Sequence, residues 1–283
     1  MTAKNIVRPF AARLQPRSFH FVTAFLVCAV SFVAIAAPVA AAQRRHKRPA
    51  GKSKTHCSSQ IRDITGCPDT GCGGSYDPQL NKRKNLKSDN HFVRAISFAE
   101  MQNLPDPAHF TAKTPSRDEL RRLGEGRKIR VVALALVARK GSAESCNCGL
   151  TAPKDTDNHI VLVDPALRNP TLEQSEKNSQ TAEFTPRVRL SHPNFRREVL
   201  QPLIARNKGH LLVRVTGLQM FDSEHFLRRH LKRYNNWEVH PVLKMEYCAN
   251  GATCSDGSDA GWVDLDRLRP ASVRGAASPV PRR

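Results

Sequence analysis

The chain has 283 residues, with 45 Lys and Arg against 25 Asp and Glu, giving a formal net charge of +20. That balance suits anionic partners such as nucleic acid, lipopolysaccharide, acidic wall polymers or anionic lipid, although it also fits a charged surface that only keeps a secreted protein soluble. Aromatic residues make up only 6% of the chain, which argues against a binder that stacks single-stranded bases.

The N-terminus carries Lys4, Arg8, Arg13 and Arg17 with no acidic residue, then an apolar run over 19–37, then Pro38, Val39 and Ala40-Ala41-Ala42. This is the layout of a cleavable export signal, with cleavage expected after Ala42. The competing reading is an uncleaved membrane anchor, since the run is about long enough to span a bilayer. No other segment of the sequence is apolar enough to do so. Cleavage would leave 241 residues with a formal charge of +16, enough for one or two modest domains. The expected location is the periplasm or the exterior, or a membrane tether if the signal stays.

Residues 43–56 form a basic linker, expected to be disordered or to lie on an anionic surface. Residues 57–114 begin as a Gly-, Asp-, Asn- and Lys-rich stretch with little apolar periodicity, expected to be an irregular extension pinned by disulfides. Its run Lys82-Arg83-Lys84 reads as a solvated face. Seven cysteines would remain after cleavage, and in an oxidising compartment they read as bridges. Cys248 and Cys254 flank the tight-turn dipeptide Asn250-Gly251 and form the best local pair. Cys57, Cys67 and Cys72 could supply one bridge among themselves. Cys146 and Cys148 are too close to pair easily, so one or both should reach elsewhere. An odd count leaves at least one thiol over. A structural zinc on Cys146, Cys148 and His159 is a weaker alternative, because a second ligand half is missing.

Residues 115–268 read as the main domain. Ser116-Arg117-Asp118-Glu119 has the capping-box pattern, predicting a short helix through Leu120 and Leu123 that stops at Gly124. Strands are predicted at 129–138, 159–164, 184–190, 211–221 and 237–247, with a helix over 194–206 that contains Pro202. In the third strand Phe184, Val188 and Leu190 share one face. In the fifth, Trp237, Val239, Leu243, Met245 and Tyr247 face one way, while Glu238, His240, Lys244 and Glu246 face the other. Residues 269–283 read as a disordered tail.

A helix between the third and fourth of five strands is the order of an OB-fold. The expected fold is therefore mainly β, a small five-stranded OB-like barrel with one helix between strands three and four, plus the pinned extension. Gly217 in mid-strand fits a barrel's sharp curvature. An open α+β sheet and a sandwich are the competing architectures.

Val213-Arg214-Val215-Thr216-Gly217, Phe221-Asp222-Ser223-Glu224-His225 and Asn236-Trp237-Glu238-Val239-His240-Pro241 together resemble a signature of exported, OB-like bacterial proteins of unassigned function. Glu183-Phe184-Thr185-Pro186-Arg187 and Asp157-Asn158-His159 extend the resemblance, which covers about 129–247. Leu218 stands where that signature would have Trp. The resemblance implies an OB-like domain and no activity.

Chemistry would sit on the polar residues that interrupt the strands. Asp157 with His159, and Glu238 with His240, have the two-residue spacing that points side chains to one face. If strands two, three and five bring these faces together, Asp157, His159 and His240 could hold a divalent ion, with Glu238 or Glu183 as general base and His240 or His159 as ligand or general acid. Arg187 and Arg189 would then hold a phosphate. The plain alternative is that these residues form a solvent face. No Gly-rich phosphate loop, Gly-x-Ser-x-Gly elbow or His-Glu-x-x-His is present.

The simpler expectation is binding of an anionic polymer by Arg187, Arg189, Arg214, Arg228, Arg229, Lys232, Arg233 and Tyr234, with 228–233 as a gripping loop. That reading needs no cofactor; a divalent metal enters only with the metal-dependent phosphodiesterase or nuclease alternative. A third alternative is a structural envelope protein.

Overall fold

The computed structural model describes residues 56–74, 77–88, 91–105, 107, 116–224, 232–250 and 252–268. The expected signal at 1–42, the linker except His56, the tail at 269–283, and Arg228 and Arg229 of the gripping loop lie outside them. No helix among the described residues is long and apolar enough to cross a membrane.

The extension contains more structure than its composition suggests. Asp77 accepts from the backbone N–H groups of Gln79 and Leu80, and Pro78 follows it, so α1 starts and runs over Pro78–Lys84. Asx N-caps followed by proline are favourable because they satisfy or remove N–H groups that lack helical partners. β1 (Arg94–Ala95) follows, then α2 (Phe98–Gln102). A capping box between Ser97 and Glu100 starts α2. The box predicted at Ser116 does not form: α3 (Asp118–Arg122) has no side-chain cap hydrogen bond. Ser116 accepts from the N–H of Asp118. Arg117 turns inward instead, where its Nε donates to Glu125 Oε2 at 2.9 Å.

The long strand β2 (Lys128–Lys140) leads to β3 (Asn158–Val163), and the short helix α4 (Leu172–Ser175) to β4 (Gln180–Phe184). The third predicted strand is thus shifted. Residues expected to continue it form the helical turn α5 (Pro186–Arg189), because Thr185 caps the N–H of Val188 and Pro186 occupies the first helical position. Val188 and Leu190 therefore do not share a strand face with Phe184. The main helix α6 (Arg197–Arg206) retains Pro202 in its interior. β5 (Leu211–Phe221), β6 (Trp237–Cys248) and β7 (Trp262–Asp264) complete the chain.

β2 pairs antiparallel with β3 and β3 with β4; β4 pairs parallel with β6; β6 pairs antiparallel with β5, and β5 with β2. The five strands close on themselves into a mixed barrel in OB-like order, with α6 between the third and fourth barrel strands. Closure leaves no barrel edge unpaired. β1 and β7 attach to β2 and β6.

Val131, Ala133, Ile160, Leu162, Ala182, Phe184, Val213, Val215 and Val239 fill the interior, and Phe195, Leu200 and Ile204 from the α6 region pack against them. One end is sealed by Leu120, Phe221 and Trp237, whose two rings meet edge to face at 5.1 Å. The predicted alternation of β6 breaks midway. Ladder shifts around Gly217 let both Val239 and Val242 point inward, and Leu243 leaves the core face.

Three disulfides form: Cys248–Cys254, Cys57–Cys72 and Cys67–Cys148. Cys146 is a buried free thiol. With Cys148 bridged to Cys67, the zinc set Cys146, Cys148 and His159 is dismantled. The Cys67–Cys148 bridge fastens the extension to the loop between β2 and β3.

Gly217 marks where β5 crosses β6 most closely. A Cβ there would lie 2.4 Å from Pro241 O and 2.5 Å from Val239 Cγ1. Gly217→Ala should lower the unfolding free energy by about 1–3 kcal/mol, the usual cost of overpacking. A urea titration checks this, and an unchanged midpoint would contradict it.

Candidate functional site

The barrel interior takes Ile160, Ala182, Phe184 and Val239, so the alternate residues His159, Glu183, Glu238 and His240 project from the outer face. Strand register brings them together. His159 is the antiparallel partner of Glu183 across β3 and β4. Thr181 of β4 lies beside Glu238 of the parallel strand β6. This face is not left to solvent. The loop from Gly141 to Asp157 folds over it, α1 packs on that loop, and Asp222, Lys232 and Arg233 line one side. Side-chain amides of α1 and of its C-cap hold this loop, with Asn85 Nδ2 donating to Cys146 O at 3.0 Å and Ser145 Oγ donating to Asn81 Oδ1 at 3.1 Å.

The result is a cluster of charge at the base of a cleft. His240 Nδ1 lies 2.9 Å from Glu183 Oε2 and 3.3 Å from Glu238 Oε1. All three atoms are buried, and none makes a well-aligned hydrogen bond. The contacts are therefore mainly electrostatic. Arg233 spans Glu238 Oε2 at 2.7 Å and Asp222 Oδ2 at 2.5 Å. Asp222 Oδ1 also accepts from the Glu224 N–H, so it organises the turn after β5 as well. Lys84 pairs with Glu144 Oε2, and Cys146 Sγ approaches the same oxygen at 3.3 Å. Asn147 Nδ2 donates to Asp157 Oδ2 at 3.0 Å, while Asp157 Oδ1 has no partner among the described residues.

His159 sits at the mouth, its side chain 36% exposed, with Nε2 at 3.4 Å from Glu183 Oε1 and 3.9 Å from Glu144 Oε1. The cleft has a volume of about 200 Å³ and is lined by Lys84, Arg139, Glu144, His159, Glu183 and Lys232, among others.

Burial and charge set the protonation states. Burial alone would raise Glu183, but the charges of His159 and His240 hold its carboxyl well below the usual range. Burial would lower His240, yet Glu183 and Glu238 push it well above an ordinary imidazole, so it stays protonated. Lys84 is likewise kept charged by Glu144 against its own desolvation. Burial pushes the Cys146 thiol well up, leaving it neutral. Burial also drives Asp157 up to about 7, with the charges of Glu144 and Glu183 acting in the same direction.

Other residues expected to bind are engaged elsewhere. Arg187 donates to Cys67 O and Pro68 O at 2.8 and 2.9 Å, and so anchors the extension. Arg189 donates to Lys154 O at 3.0 Å and also to Thr156 O. Arg214 is buried on another face, bound to Glu246 at 2.7 and 2.8 Å and to Asp259 at 2.7 Å, with Trp262 stacked over it. These three guanidiniums are committed to internal partners and none lines the cleft. Lys232 does line it. Tyr234 is exposed, and its N–H donates to Ser179 O, a residue of the cleft wall. Sequence reasoning missed Glu144, Lys84 and Arg139. Lys84 looked like one of a solvated basic run, but it is buried. Glu144 lies in an aperiodic loop, and its only sequence cue is the neighbouring Cys146 and Cys148.

No protein-family model, curated protein or solved structure matches the chain. Asp157, His159, Glu183, Glu238 and His240, the residues expected to carry chemistry, are all members of this cluster.

Arg233 neutralises two buried carboxylates at once. Arg233→Met should cost about 3–5 kcal/mol, the range for removing one partner of a buried pair, read from the shift in urea midpoint; a loss below 1 kcal/mol would show that the pairs behave as exposed ones. For Asp157 the folded state keeps the proton to about pH 7, whereas an unfolded aspartate releases it near ~3.9. Stability therefore falls as pH rises through that window and the penalty is complete above it. Asp157→Asn, which cannot ionise, should gain on the wild type when compared at pH 8 with EDTA present and gain much less at pH 5. Equal differences at both pH values would refute the assignment.

Proposed function

We propose that the cleft performs metal-dependent hydrolysis of a phosphodiester in an anionic polymer, and that the protein does so outside the cytoplasm. The observation that carries this reading is the convergence of His159, Glu183 and His240 at one cleft that also has cations at its wall. A solvent face would leave such residues apart; here the protein sustains the cost of burying Glu183, Glu238 and His240 together. Clusters of ionisable groups with displaced pKa values in a cleft are the pattern expected of functional sites.

A divalent ion in this cluster would supply an activated water and polarise a phosphoryl oxygen. The chain's own residues supply the rest. Lys232, and Arg139, which pairs with Glu176 Oε1 but keeps its side chain 40% exposed, line the wall where a phosphate would enter. They take over the phosphate-holding part expected of Arg187 and Arg189, whose guanidiniums are tied to backbone carbonyls. Lys84 and Arg233 add fixed positive charge near the base, where negative charge would build on the phosphoryl oxygens as water attacks. His240, held protonated between two carboxylates, orients Glu183 and does not itself accept a proton. Three disulfides and a high positive charge suit an oxidising compartment rich in polyanions.

Binding without cleavage is the second reading, favoured by exposed Lys232 and Tyr234 beside the cleft. The two separate cleanly. Incubation of the protein with DNA, with RNA and with a phosphodiester-linked wall polymer should give cleavage with Mn²⁺ or Zn²⁺ and none with EDTA. Glu183→Gln should reduce that rate by at least about 100-fold, the scale lost with a transition-state electrostatic group. Salt-sensitive retention of these polymers with no cleavage under any metal would leave the binding module as the function.

A further inference from the structure

Three atoms at the cleft mouth face one another: Glu144 Oε1, His159 Nε2 and Glu183 Oε1. Mutually, these residues' ligand atoms all fall within 4.8 Å. Ligands held ~2.0–2.2 Å from a common ion stand roughly 3.0–3.4 Å apart in octahedral or tetrahedral geometry. The 3.4 Å from His159 Nε2 to Glu183 Oε1 already has that spacing, and the 3.9 Å to Glu144 Oε1 needs only a small side-chain adjustment.

The far oxygens explain why the near ones point this way. Lys84 holds Glu144 Oε2, and His240 stands behind Glu183 Oε2 at 2.9 Å. Each carboxylate thus has one oxygen held by a buried cation and presents the other to His159. Supporting contacts of this kind orient metal ligands. The Glu183 side chain is only 4% exposed. His159 Nε2 is itself buried and has no hydrogen-bond partner among the described residues. Gly141 keeps the space open, since a Cβ there would come within 3.0 Å of His159 Nε2.

We propose that Glu144, His159 and Glu183 form a divalent-cation site at the mouth of the cleft, suited to Zn²⁺ or Mn²⁺. Two carboxylate oxygens and one imidazole nitrogen are a donor set for such ions more than for Ca²⁺ or Mg²⁺. Three protein ligands with the remaining positions turned to the cleft give the open coordination of a catalytic centre. Asp157 and His240, the other residues expected to ligate, lie behind this set and act as positioning residues. The alternative trio Asp157, Glu183 and His240 is wholly buried and offers a substrate no open position.

The site deepens the phosphodiesterase reading and rests on it only for its purpose, so binding is measured apart from cleavage. Calorimetry and Mn²⁺ paramagnetic resonance on the full chain, with Mn²⁺ and Zn²⁺ as probes, should find one saturable site per chain. His159→Ala should weaken it by at least about tenfold, the lower end of what even a supporting residue contributes. His159 is partly exposed, so this variant should keep its unfolding midpoint even if Glu144→Gln, which strands Lys84, does not. Absence of saturable binding to the wild type, or undiminished binding by His159→Ala, overturns the site. Metal bound through His159 with no polymer cleaved would leave the site standing and remove the proposed activity; cleavage that survives EDTA would overturn the metal dependence of that activity.

Discussion

Charge that is covered must be paired, and this requirement organises the outer face of β3, β4 and β6. Glu183, Glu238 and His240 lie on that face with almost no exposure. An isolated buried carboxylate would cost several kcal/mol or take up a proton. Here the imidazolium of His240 lies between two carboxylates, Arg233 ties Glu238 to Asp222, and Lys84 neutralises Glu144. The parallel pairing of β4 with β6 makes the arrangement possible, because it sets Glu183 and His240 side by side while it closes the barrel.

The cover is as specific as the charges beneath it. It consists of the extension and the loop between β2 and β3, two aperiodic segments that would not fold against a barrel by hydrophobic burial alone. Their apolar cluster is small, built on Ile64, Cys67, Cys72 and Cys148. Covalent and polar links compensate. The Cys67–Cys148 bridge joins segments 81 residues apart, a span at which a cross-link removes much unfolded-state entropy. Arg187 and Arg189 add hydrogen bonds to backbone carbonyls of the same cover. Arginines that look like an anion-binding surface are in this way the struts that hold a lid.

The cleft opens beside His159, and the groups around its mouth differ in kind from those behind it. Behind lie fixed, fully buried charges whose protonation is set by their neighbours. At the opening lie His159, half in solvent, and the cations Arg139 and Lys232. Rigid charge below and accessible groups above are the division expected where a site must be preorganised yet reachable from solvent. The other large basic group, Arg214, belongs to a separate knot with Glu246, Asp259 and Trp262 that secures β7 and the Cys248–Cys254 loop.

Much of the barrel was legible in the sequence because barrel strands announce themselves locally. Apolar runs and alternation located β2, β3, β5 and β6, and Asn250-Gly251 located the Cys248–Cys254 loop. The two-residue spacing of Glu238 and His240 put them on one face. The turn α5 was misread as strand because apolar spacing over 184–190 outweighed the local cue of Thr185 capping a helix that begins at Pro186. Sequence by itself therefore determined the strand order, and it named His159, Glu183 and His240 as residues of interest. Only the tertiary structure decided that their face is covered, that Glu144 and Lys84 complete the cluster, and that Arg187, Arg189 and Arg214 do not. Strand periodicity is a property of neighbours along the chain, whereas the partner of a buried charge is chosen by contacts between segments tens of residues apart.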